Sequence, residues 1–136
     1  MTAQLGFGVP MKISFNEALD KVVAALKAEG FGVLTRIDVK ETFKEKLGVD
    51  FRPYAILGAC NPPLSHKALS SDPEVGLMLP CNVIVDSGES GSCVVRIANP
   101  EAMLTFGELG DNPVLVEVAR EARARLERIA QSLKSI

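Results

Sequence analysis

Apolar and polar positions alternate over residues 5–13. Leu5, Phe7, Val9, Met11 and Ile13 fall on one side, and Gly6, Gly8, Pro10 and Lys12 on the other. A period of two predicts a strand, and Pro10, with no N–H for a ladder, predicts an edge position or a bulge. The period then lengthens. Phe15, Ala18, Leu19, Val22, Val23 and Leu26 recur at threes and fours behind Ser14 and Glu17, the two ends of a capping box, and Gly30 supplies a stop. Alternation returns at 31–39, where Phe31, Val33, Thr35, Ile37 and Val39 are expected to share a face. A short charged helix over 40–47 follows and ends at Gly48. Residues 53–60 carry Tyr54, Ile56, Gly58 and Cys60 on one side and Ala55, Leu57 and Ala59 on the other. With both sides apolar or small, this predicts an interior strand.

The second half of the chain is punctuated by one device. Asn61-Pro62, Asp72-Pro73, Asn99-Pro100 and Asn112-Pro113 each pair a capping side chain with a proline at the first helical position, where its missing N–H costs nothing. Four helical segments are therefore expected to start there. Between them, 81–86 and 92–98 read as strands joined by a polar turn over 87–91, a hairpin. A short helix is predicted over 100–106 and a break over 107–110. The last helix, over 113–133, presents Leu115, Val118, Ala122, Leu126, Ile129 and Leu133 at threes and fours.

The order is thus β-α-β-(α)-β-(α)-β-β-α. Together with GACNP at 58–62, LPCNVIV at 79–85 and the NP-x-L-x-x-V-A-x-E-A start of the last helix, the chain resembles the bacterial and archaeal family of domain of unknown function 302 over nearly its whole length. The resemblance implies an α+β fold: a curved, mostly antiparallel five-stranded sheet with helices packed on one side, similar to the TATA-box-binding protein. It also implies a homodimer. The family carries no settled activity, and likeness of fold alone does not imply DNA binding.

Composition narrows the field further. At 136 residues, 47% apolar and 24% charged, the chain is expected to form a single domain over 1–136 with a real core. Aromatics are 5%, so that core is aliphatic. A net charge of −2 and a pI of about 5.4 argue against a nucleic-acid partner, which needs a clustered basic surface. No run of 18 apolar residues is present, so no membrane span is expected, and the N-terminal stretch does not read as a signal peptide. Three cysteines without framework spacing suit a reducing cytoplasm.

Candidate chemistry gathers between the third and fourth strands. If these run antiparallel, Cys60 and Cys81 become neighbours although 21 positions apart, with thiols expected within about 7 Å and no disulfide. Parity groups Ile56 and Gly58 with Cys60, and Val83 and Val85 with Cys81; which face each set takes depends on register. Cys93 falls toward the hairpin turn. His66, the only histidine, lies in the helical insert, and Asn61 and Asn82 flank the two cysteines. Three uses compete. Cys60, His66 and Cys81, with Asp72 or a water, would be the donors for zinc or copper. Cys60, just before a helix N-terminus, would be a nucleophilic or redox thiol with His66 as base. Both give way to ordinary buried cysteines, since there is no C-x-x-C, no second histidine and no acid to orient His66. No phosphate loop, serine elbow or zinc-protease motif occurs. The expectation is a non-enzymatic dimeric module binding a small molecule through Cys60, Asn61, His66, Cys81 and Asn82, with no cofactor; the alternatives are a thiol-dependent redox enzyme or metal-binding protein using Cys60, Cys81 and His66, and a structural or partner-binding domain.

Overall fold

Local capping signals place the helices. The computed structural model of the chain describes residues 4–88 and 91–136. Ser14 Oγ accepts the Glu17 N–H at 3.2 Å and donates to Glu17 Oε1 at 3.0 Å, opening α1 (Phe15–Ala28). Gly30 follows at φ 85°, a left-handed conformation that costs glycine least, and the helix stops. Asp38 caps α2 (Val39–Leu47). The four Asn/Asp-Pro steps open α3 (Pro62–Ser71), a 3-10 turn (Pro73–Met78), α4 (Pro100–Met103) and α5 (Pro113–Lys134). In each, the side-chain oxygen accepts a backbone N–H two or three residues on, at 2.9–3.3 Å. α4 is shorter than its expected 100–106, and a 3-10 turn (Gly107–Asp111) occupies the expected break.

The strands are β1 (Gly6–Met11), β2 (Gly32–Asp38), β3 (Tyr54–Cys60), β4 (Cys81–Ser87) and β5 (Cys93–Ala98). They form one sheet in the order β1-β5-β4-β3-β2, and every neighbouring pair is antiparallel. β1 is an edge strand, as Pro10 requires, and β3 is interior. Val9, Ala55, Leu57, Val83, Val85, Val95 and Ile97 are buried in a core shared with Leu19, Val22 and Leu26 of α1 and Leu126, Ile129 and Leu133 of α5. A second cluster joins Leu64 and Ala68 of α3 to Val75, Leu104 and Leu115, Val118 and Ala122 of α5. α5 thus spans both clusters, which is why it is the longest helix.

Two expectations are corrected. The curved, TATA-box-binding-protein-like sheet is not what forms: the sheet is open and not strongly curled. Bulges and glycine kinks introduce strong curl, and the β1–β5, β5–β4 and β4–β3 ladders run in unbroken register. The one irregularity lies at the β2 edge, between Val33 and Thr35, leaving Leu34 as an extra residue. That bulge also overturns the shared face expected over 31–39. Val33 lies opposite Ala59 but Thr35 lies opposite Gly58, so the two point to different sides of the sheet. Residues 89 and 90 of the expected polar turn, and residues 1–3 of the N-terminal stretch, lie outside the described residues.

Candidate functional site

Where β3 ends, the chain turns at once into α3, and where the 3-10 turn ends, Pro80 leads into β4. The β3–β4 register pairs Ala59 with Cys81 and Gly58 with Asn82. The last residues of β3 and the first of β4 therefore meet at one end of the sheet. α3 and α5 do not fill the space there. A cavity of about 330 Å³ remains, bounded by Phe31, Leu34 and Thr35, the β3 end, α3, residues 79–81, Leu104, and Val118 and Ala122 of α5. Leu34, the bulged residue, lines it while 69% exposed, and Leu69 lines it while 44% exposed, so these two leucines mark its mouth.

The walls are mostly hydrocarbon. The polar side chains among them are Thr35, Cys60, Asn61, Ser65 and Cys81. Asn61 is already committed: Oδ1 caps α3 through the Leu64 N–H, and Nδ2 donates to the Glu29 carbonyl at 3.4 Å. The same carbonyl accepts Arg125 Nη1 at 3.0 Å, so the ends of α1 and α3 are tied to α5 beside the cavity. Ser65 Oγ lies 3.2 Å from Cys60 Sγ and 3.2 Å from the Pro62 carbonyl, to which it donates. Gly58 is required beside Thr35 and Pro80: a Cβ there would stand 2.8 Å from Pro80 Cγ and closer still to Thr35 Oγ1.

The cysteines differ in kind. Cys60 and Cys81 are half-buried free thiols that both line the cavity. Burial, and secondarily the nearby charge of Cys60, push the Cys81 thiol up to about 11, so it keeps its proton at neutral pH. Cys93 is buried opposite Ser87, away from the cavity, and burial raises its pKa too.

Of the sequence candidates, Cys60, Asn61 and Cys81 come together here. His66 and Asn82 do not. His66 is exposed on α3 and off the cavity wall. Asn82 is exposed opposite Gly58, in a separate depression with Gly6, Gly8, Ile84 and Arg96. The donor set Cys60, His66 and Cys81 is consequently not assembled, and Asp72 is spent capping the 3-10 turn. Among the described residues no three or more His, Cys, Asp or Glu side chains are grouped to hold a metal. Sequence reasoning missed Ser65, Leu34 and Thr35. Ser65 was within reach of it, lying in the first turn of a helix whose cap is Asn61.

Residues 7–133 match the family described as Domain of unknown function DUF302. The chain belongs to this family. A solved DUF302 structure, an uncharacterized conserved protein from Bacillus stearothermophilus, is similar at 31% identity and a TM-score of 0.83, over 96% of this chain and 99% of that one. No curated protein matches.

A polar cluster also marks this DUF302 chain, on the sheet side away from the core. Asp86 of β4 is 8% exposed and accepts Arg52 Nε at 2.6 Å, Arg52 Nη2 at 3.2 Å and Arg96 Nη1 at 2.9 Å. The hydrogen bonds from Arg52, outweighing the effect of burial, hold its carboxyl below the usual aspartate range. Arg52 also lies over the rings of Phe51 and Tyr54. One carboxylate holds two guanidinium groups, so the cluster reads as a brace between β4, β5 and the segment leading into β3.

Proposed function

We propose that the chain is a non-enzymatic binding module for a small molecule, a single domain over 1–136 acting as a homodimer in the cytoplasm, with its site beside Cys60 and Cys81. The observation that carries this reading is the cavity. At about 330 Å³ it lies in the size range of small-ligand sites, and it pairs apolar walls with a few polar groups. Its polar members are one capping amide, two hydroxyls and two thiols rather than an acid-base pair, which favours binding over catalysis. Homodimerisation is supported by the sequence resemblance and by the sheet side that carries Ile37, 49% exposed, together with Ile56 and Ile84. Three free cysteines suit a reducing compartment. The acidic pI of about 5.4 disfavours a nucleic-acid partner. Among the described residues no helix is long and apolar enough to cross a membrane.

Native mass spectrometry of protein purified without chelators tests this directly. The expected result is twice the 14.6 kDa chain mass with a retained small molecule. A monomer that takes up nothing from a library of small apolar compounds would refute it. The rival thiol-redox reading is favoured by one observation, two thiols fronting one cavity. It requires Cys60→Ala and Cys81→Ala to abolish a reaction, whereas the binding reading requires them to alter affinity.

A further inference from the structure

The cavity's lining has a property that cavity size alone does not dictate: none of its sixteen side chains is charged. Arg125 is not part of that lining: its Nη1 donates to the Glu29 carbonyl and its Nη2 faces Glu121 at 3.9 Å, while its Nε is buried without a hydrogen-bond partner among the described residues, and the Glu29 carboxylate is held by Arg128 at 2.8 Å. The two exposed leucines that mark the mouth, Leu34 and Leu69, are likewise uncharged. Asn61 spends its Oδ1 on the Leu64 N–H and one of its two Nδ2 hydrogens on the Glu29 carbonyl at 3.4 Å. What remains for a guest is the other Nδ2 hydrogen, the Cys60–Ser65 pair, the Thr35 hydroxyl and the Cys81 thiol.

From this we infer that the guest is an uncharged, largely apolar molecule of on the order of ten non-hydrogen atoms, at about 30 Å³ for each water-sized group, carrying one hydroxyl or carbonyl end. The inference rests on the reading that this cavity binds a ligand. A carboxylate or an ammonium group entering here would lose its water and find no opposite charge, which is the most unfavourable way to bury an ion. A hydroxyl or carbonyl needs only one or two hydrogen bonds: a guest hydroxyl can donate to Ser65 Oγ or Cys60 Sγ, and a guest carbonyl can accept from the Thr35 hydroxyl or the Cys81 thiol. Cys81, which keeps its proton at neutral pH, adds no anion to the wall.

Three probes of matched chain length test it: 1-octanol, octanoate and octylammonium, titrated calorimetrically into the full chain at pH 7.5. Backbone amide shifts at Ala59, Cys60 and Ala68 locate the binding. The alcohol is expected to bind saturably and shift those amides, with both ions at least about 30-fold weaker. If either ion binds within about threefold of the alcohol at the same amides, the inference is overturned while the binding reading stands. If none of the three binds, both fall. Ala68→Leu, which fills the cavity from α3, is expected to abolish alcohol binding. Unchanged binding by the folded variant would place the site elsewhere and overturn the inference. If that variant does not fold, the amide shifts alone decide the location.

Discussion

Ala59 and Cys81 face each other across the β3–β4 ladder. Strand alternation then puts Cys81 on the side of Ala59, while Cys60, one residue further, leaves β3 on the other. The two thiols border one cavity from different sides of a strand end rather than as a facing pair.

Their reactivity should differ accordingly. With its pKa raised to about 11, Cys81 is ionised to roughly one part in a thousand at pH 8. Iodoacetamide at pH 8, followed by peptide mass spectrometry, should label Cys60 well before Cys81 and leave buried Cys93 last. The Cys81 rate should climb about tenfold per pH unit toward 11. Cys60→Ala removes a neighbouring negative charge and should lower the Cys81 midpoint. Equal labelling of Cys60 and Cys81 at pH 8 would contradict this account.

Gly58→Ala should destabilise the fold by about 1–3 kcal/mol in urea titration, the range for overpacking. The new methyl meets the Thr35 side chain, which is exposed and must turn its hydroxyl away, and the rigid Pro80 ring, which cannot turn. Thr35→Ala should restore part of the loss, leaving the share that belongs to Pro80. A Gly58→Ala variant as stable as the parent would mean that β2 and residue 80 stand further off than they do here.

Asp86 should make stability depend on pH at the acid end. Its folded pKa lies below the unfolded value of about 3.9, so its contribution is complete above that value and is lost as pH falls through the folded pKa. Asp86→Asn should cost about 2 kcal/mol at pH 7, a figure kept low because Arg52 and Arg96 are half exposed. It should also flatten the fall in stability below about pH 4. Chemical denaturation of both proteins from pH 7 down to the acid limit supplies the comparison.

Asn61→Ala should cost about 1–2 kcal/mol by removing the α3 cap and the bond to the Glu29 carbonyl together. Asn61→Asp keeps the capping oxygen and should recover the larger part. Hydrogen exchange at the Leu64 amide would report cap loss specifically: faster exchange is expected in the alanine variant and near-parental exchange in the aspartate variant.

The legible parts of this chain are those set by local chemistry. Each Asn/Asp-Pro step opened a helical segment because cap and proline act within three residues. The interior position of β3 followed from its two apolar sides. The face of Cys81 relative to Cys60 was not legible, because parity orders residues only within a strand and the pairing register supplies the rest. Nor was the bulge at Leu34: an extra leucine in an apolar strand leaves no mark on composition, yet it separates Val33 from Thr35 and sets the cavity mouth. His66 looked chemical because it is the sole histidine, but its place on α3 is decided by which stripe packs on α5, and Leu64 and Ala68 hold that stripe. Curl in the sheet was inferred from likeness to another fold, and the unbroken ladders do not supply it.

The sheet ends in two free margins, and both are blunted against further growth. Along β1, Pro10 withholds an N–H from any strand that would add there. Along β2, the extra residue at Leu34 throws the backbone out of step with a straight partner. Runaway strand addition, the common route from an open sheet to insoluble aggregates, is thereby discouraged at each end. Two copies of this chain that associate would accordingly meet through sheet faces or helices, and not by zipping into one continuous ten-stranded ribbon.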